Sequence, residues 1–135
     1  MVIGLGIDLV YLSEFRAQLG EVGSAFASVT FTAEEAAYSR SRASRDPVRH
    51  LAARFAAKEA TLKALDQACA TRGVQPDRVP MTDIEVVCDA AGRPWLRLHG
   101  AAQQLAEELE ADRVLVTLSH DGPCATAAVV LERLA

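Results

Sequence analysis

Aromatic residues are scarce in this 135-residue chain, at 5%, with a single tryptophan. Excess positive charge is also missing: 14 Lys and Arg stand against 18 Asp and Glu, for a net charge of -4. That balance argues against general nucleic-acid binding. Cys69, Cys88 and Cys124 are odd in number and widely spaced, with no CxxC pair. Neither a zinc site nor a disulfide framework follows, and the thiols fit a reducing cytoplasm. No run is long and apolar enough to span a membrane. The N-terminus lacks the long apolar core of a signal peptide, because Asp8 interrupts it.

What is present is a hydrophobic half, rich in alanine, and only 24% charged residues. A chain of this length and composition reads as one domain, 1–135, able to bury a core. Residues 40 to 63 carry Arg40, Arg42, Arg45, Arg49, Arg54, Lys58 and Lys63 against only Asp46 and Glu59. A basic block inside an acidic protein favours a local anionic ligand, although a solvated helix face is the plainer reading.

The pattern predicts an apolar, central strand over residues 2 to 8, ending at Asp8. A short helix follows over 11 to 19, with Leu12, Phe15 and Leu19 on one side. Thr32 and Glu35 form a capping-box pattern for a helix reaching about residue 40. Asp46-Pro47 opens a long helix to about Cys69. Its Leu51, Phe55, Leu62 and Leu65 stay near one face. Residues 84 to 88 and 95 to 98 read as strands around the Gly92-Arg93-Pro94 turn. A helix is expected over about 100 to 110. Two buried strands, 114 to 118 and 125 to 131, are joined by a hairpin through Ser119-His120-Asp121-Gly122-Pro123. Segregated helices and hairpins imply an α+β fold with a mainly antiparallel sheet and one long central helix.

Two carboxylates stand out. Asp8 serves as either a helix N-cap or a ligand for a hard cation. Glu59 is either half of an i,i+4 surface pair with Lys63 or a cation ligand among alanines. One or two carboxylates completed by phosphate oxygens is the usual way Mg²⁺ is held. Arg54 and Lys58, one turn apart, are expected to meet one phosphate-bearing ligand, with Lys63 approaching from the side of Glu59. His120 and Asp121 are adjacent in an extended segment and so make a poor dyad. Ser119 lacks a nucleophile-elbow setting. His50 and His99 read as surface or helix-end residues. The Gly4-Leu5-Gly6 run is no dinucleotide fingerprint, since Leu9 occupies the third glycine position.

Taken in order, Gly6-Ile7-Asp8-Leu9-Val10, Phe31-Thr32-x-x-Glu35, Arg54 to Ala60, Gly92-Arg93-Pro94 and Leu118-Ser119-His120-Asp121 resemble the 4′-phosphopantetheinyl transferase superfamily, in its holo-acyl-carrier-protein synthase group. The resemblance spans essentially the whole chain. It implies transfer of 4′-phosphopantetheine from coenzyme A to a serine of an acyl carrier protein, with release of 3′,5′-ADP. It further implies Asp8 and Glu59 as Mg²⁺ ligands and Asp8, Glu59 and Lys63 in catalysis. Arg54, Lys58 and Lys63 would bind coenzyme A, with Gly92, Pro94 and His120 supplied by a neighbouring subunit of a homotrimer. Two stretches depart from the pattern. Tyr11 to Leu19 offers only Arg16, beside Glu14, where the family is commonly arginine-rich; docking would then rest on apolar contacts or on Arg40, Arg42 and Arg45. The loop after the long helix lacks the usual glycines. The alternative from another class is a non-catalytic module that captures a nucleotide or a carrier protein.

Overall fold

The structure, a computed structural model, describes residues 1–41 and 46–135. Arg42 and Arg45 of the basic block lie outside the described residues. The order is β1 (Val2–Tyr11), α1 (Leu12–Leu19), α2 (Phe26–Thr30), α3 (Ala33–Ser41), α4 (Pro47–Arg72), a 3₁₀ turn (Met81–Asp83), β2 (Ile84–Cys88), β3 (Pro94–Leu98), α5 (Gly100–Glu108), β4 (Arg113–Asp121) and β5 (Cys124–Glu132). This is the α+β architecture expected, with the long helix α4 at its centre. Short α2 and the 3₁₀ turn carry no signal strong enough to be read beforehand.

The helix starts follow their local chemistry. The Thr32 amide donates to Glu35 Oε1 at 3.0 Å, and the Glu35 amide donates to Thr32 Oγ1 at 3.1 Å. Two otherwise orphaned donors are thereby satisfied at the start of α3. The Asp46 carboxylate accepts from the amides of Val48 and Arg49, ahead of Pro47. Asp8, by contrast, caps nothing: β1 continues past it, and Tyr11 stands at the N-cap of α1 without a side-chain bond.

Two antiparallel sheets form, one ordered β1-β5-β4 and the other β2-β3. β5, not β1, is the middle strand, which corrects the expectation that β1 is central. An apolar run at an edge and one in the middle look the same locally; pairing partners 113 or more residues away decide between them. β4 is likewise not a buried strand: it alternates between exposed and half-buried positions, whereas β5 alternates with fully buried ones. His120 and Asp121 extend β4, leaving only Gly122 and Pro123 as the turn.

α4 packs across β1 and β5 through its alanines. Ala52, Ala56, Ala57, Ala60, Ala64 and Ala68 are fully buried with Leu65, while Leu51, Phe55 and Leu62 are only partly covered. The expected leucine face is therefore secondary to an alanine face. Small side chains let the helix axis approach the sheet, and the glycines of β1 complete the fit. A Cβ on Gly4 would overlap the carbonyl oxygen of Ala64, and one on Gly6 that of Ala60.

Candidate active site

β1 and α4 run in opposite directions with matched spacing. Two strand residues advance about 6.8 Å and four helix residues about 6.0 Å. Gly4 over Ala64 and Gly6 over Ala60 follow that step. Asp8, next on the same face of β1, therefore continues toward the part of α4 that holds Glu59 and Lys63. Lys63 Nζ donates to Asp8 Oδ1 and to the Ile7 carbonyl, both at 3.0 Å. Asp8 and Glu59 line one cleft of about 210 Å³, together with Tyr11, Glu14, Phe15, Gln18 and Phe55. Fifty-one positions of sequence separate two carboxylates that share a wall.

Their proximity has an electrostatic signature. Burial pushes the Glu59 carboxyl above its ordinary value, the negative charge of Asp8 pushes it further, and Lys63 offsets part of the rise. Lys63 makes its short ion pair with Asp8 instead of the i,i+4 contact with Glu59 that sequence suggests. Two hard oxygen donors that repel each other fit a divalent cation, which would relieve the repulsion. Among the described residues no group of three or more His, Cys, Asp or Glu is placed to hold a metal alone. A two-carboxylate set suits Mg²⁺, which completes its shell with water and substrate oxygens, better than a structural metal.

A second cleft of about 320 Å³ lies elsewhere on the chain. Its walls include Tyr38, Arg49, Arg54, Gly92, Pro94 and His120. Arg54 is 3% exposed. Its Nη1 donates to the His50 carbonyl, its Nη2 meets Cys88 Sγ at 3.5 Å, and its guanidinium stacks 4.9 Å above the Tyr38 ring. Its Nε, like that of Arg49, has no hydrogen-bond partner among the described residues. Buried donors without partners are uncommon, and two at one cleft leave capacity for an anion. The fold thus gathers Arg54, Gly92, Pro94 and His120 at one place and Asp8, Glu59 and Lys63 at another. Tyr38 and Arg49 are additions that sequence reasoning did not assign to a site. His50, read as a surface or helix-end residue and standing in the first turn of α4, also lines this cleft.

Lys58, expected from the resemblance to contact coenzyme A, lines neither cleft. Its side chain is fully buried, with Nζ 2.7 Å from Glu35 Oε1, whose side chain is also fully buried. The same ammonium donates to the carbonyls of Met81 and Ile84. Three N–H donors meet three protein acceptors, so none remains for a phosphate. Glu35 also accepts the Val86 amide at 3.1 Å. Thr32 Oγ1 continues the network to Glu85, which meets His99 Nε2 at 3.1 Å. His99 is therefore engaged in a structural chain that ties α3, α4, β2 and the start of α5 together. The capping box was its one visible sign; Glu85 offered none.

Comparison with known proteins places the chain in a family. Residues 4–127 match the model of the 4′-phosphopantetheinyl transferase superfamily. A holo-[acyl-carrier-protein] synthase of Nocardia farcinica is 47% identical over 97% of this chain and 88% of that protein. A solved ACPS–CoA complex from Chronobacterium ammoniagenes superposes with a TM-score of 0.86 at 36% identity, covering 97% of both chains. A holo-(acyl-carrier-protein) synthase of Bacillus anthracis, solved in complex with CoA (3′,5′-ADP), superposes with a TM-score of 0.74 at 29% identity, covering 99% of both. The chain belongs to the 4′-phosphopantetheinyl transferase superfamily, in its holo-[acyl-carrier-protein] synthase group.

Proposed function

We propose that this enzyme moves the 4′-phosphopantetheine group of coenzyme A onto a serine of an apo-acyl carrier protein, releases 3′,5′-ADP, and depends on Mg²⁺. The observation that carries the reading is the convergence of Asp8 and Glu59 in one cleft, with Lys63 bonded to Asp8. Asp8 and Glu59 would hold the cation, whose chemistry is to neutralise charge developing on the diphosphate. Glu59, with its carboxyl raised above the ordinary range, accepts the proton of the attacking serine hydroxyl. The serine oxygen bonds to the phosphorus that carries pantetheine, and that phosphorus parts from the oxygen it shares with the ADP moiety. Lys63, more than half exposed at its side chain, stands where it meets the charge of the leaving group. Positioning and electrostatics supply most of the acceleration in such reactions.

Arg54, Gly92, Pro94 and His120 would receive the nucleotide end of coenzyme A, with the Arg54 fork suited to a terminal phosphate. These residues and the carboxylates line separate clefts of one chain. A homotrimer in which one copy's arginine cleft faces its neighbour's carboxylate cleft would join them. Support comes from the outer face of β1, where Leu5, Ile7 and Leu9 are 55%, 64% and 63% exposed. Uncovered apolar surface of that kind marks an association face. No helix among the described residues is long and apolar enough to cross a membrane. No observation favours the non-catalytic binding module.

The test is mass spectrometry of apo-acyl carrier proteins incubated with the enzyme, coenzyme A and Mg²⁺. A gain of one phosphopantetheine per carrier is expected, lost on chelation. Absence of any gain across several carriers, with Mg²⁺ present, overturns the proposal.

A further inference from the structure

The wall of the arginine cleft is built around one side chain. Arg54 is 3% exposed and lines the cleft with Tyr38, Arg49 and Cys88. A guanidinium carries five N–H donors in one rigid plane. Two are engaged among the described residues: Nη1 donates to the His50 carbonyl at 3.3 Å and Nη2 to Cys88 Sγ at 3.5 Å. The first bond is long and the second meets a weak acceptor, so neither fixes the plane firmly. The ring of Tyr38 does: its centroid lies 4.9 Å from the guanidinium carbon. A cation over an aromatic face is held most strongly where water is excluded, as it is around a side chain this deeply buried. The ring stands on a fixed support. Tyr38 belongs to α3, three residues after Glu35, which is pinned by Lys58 and the Val86 amide.

The remaining three donors of Arg54, Nε–H among them, have no partner among the described residues. A phosphate is gripped by two coplanar donors at once only when the plane faces it. A tilted fork keeps its charge, and with it a general attraction for anions, but loses the paired bonds. We infer that Tyr38 is a positioning residue for cosubstrate recognition: its ring sets the plane of Arg54, and that plane distinguishes coenzyme A from the same molecule without its 3′-phosphate. The inference rests on the reading of this cleft as the nucleotide site and adds to it the side chain that aims its arginine.

The experiment compares coenzyme A with 3′-dephospho-coenzyme A as cosubstrate for one apo-carrier. Phosphopantetheine incorporation gives kcat/KM for each with the natural enzyme, Tyr38→Phe and Tyr38→Leu. The ratio of the two cosubstrates within one enzyme cancels the fraction folded and any effect on the carboxylate cleft or the carrier. The natural enzyme is expected to favour coenzyme A by about 100-fold, the scale of charge-assisted hydrogen bonds to a phosphate. Tyr38→Phe keeps the ring and is expected to keep the ratio. Tyr38→Leu is expected to lower it to about tenfold, with the charges of Arg49 and Arg54 sustaining the remainder. Should Tyr38→Leu not fold, Tyr38→Met takes its place in the same measurement. An unchanged ratio in the variant without the ring, or an equal fall in Tyr38→Phe, overturns the inference alone. A natural enzyme that uses both cosubstrates equally well overturns the reading of the cleft as the nucleotide site, and the inference with it. Calorimetry of the two cosubstrates gives the same ratio without turnover. Discrimination in binding that Tyr38→Leu weakens, with no transfer to any carrier, supports the role of Tyr38 and overturns the transferase reading alone.

Discussion

Gly6 of β1 lies against the Ala60 carbonyl of α4 so closely that a single methyl group has no room between them. That contact places Asp8, two residues further along the strand, on the face that meets Glu59 and Lys63. The glycine is thus part of the site's construction although it touches no ligand. Gly6→Ala is expected to force the helix off the sheet, at a cost near the upper end of about 1–3 kcal/mol for overpacking. Denaturant unfolding measures the loss. If the separation of the carboxylates matters, affinity for Mg²⁺ with coenzyme A falls in the fraction that remains folded. A neutral effect on stability would mean that α4 does not pack as closely as described.

Glu59 leaves a mark on the pH dependence of folding. Its carboxyl lies above the ordinary 4.5 because of burial and of Asp8. The folded chain therefore binds this proton more tightly than the unfolded chain. Ionisation costs stability as pH rises through the folded value, and the cost is absent at lower pH. Glu59→Gln is expected to melt at a higher temperature than the natural protein at about pH 7 to 8, with the gap closing toward about pH 4. Mg²⁺ should raise the melting temperature of the natural protein and leave the variant unmoved, while turnover drops by about 100-fold or more. Thermal scans across pH, with and without Mg²⁺, check the first two. A gap independent of pH argues against strain at this carboxylate.

Lys58 should behave as a core residue. Burial depresses its ammonium, and Glu35 opposes that shift. Removing one partner of a buried pair strands the other, at about 3–5 kcal/mol. Lys58→Met is expected to lose stability on that scale. Coenzyme A affinity of the folded fraction, read by calorimetry well below the melting point, is expected to hold. A variant that stays stable but no longer binds coenzyme A would return Lys58 to the ligand site.

Legibility followed the range of the interaction involved. Thr32 with Glu35 and Asp46 with Pro47 were readable because capping is settled within four residues. Lys58 and Lys63 looked alike, two basic residues on one helix five positions apart. One is 0% exposed and the other exposed, because α3 and β2 cover the Lys58 side and leave the Lys63 side open. Helical phase alone does not say which side another element will cover. Gly4 and Gly6 were visible too, but their meaning was not: close approach needs a partner backbone, and that partner lies about sixty residues on.

The chain's own order of residues determined the α+β composition, the principal helix starts and the carboxylate and arginine candidates, since propensity, capping and turn chemistry act over a few neighbours. Tertiary structure alone decided that β5 lies between β1 and β4, that Asp8 and Glu59 share a cleft, that Arg54 stands in another, and that Lys58 is spent on Glu35. Those outcomes depend on which distant surfaces exclude water from one another, and packing between elements, not pattern within them, settles that.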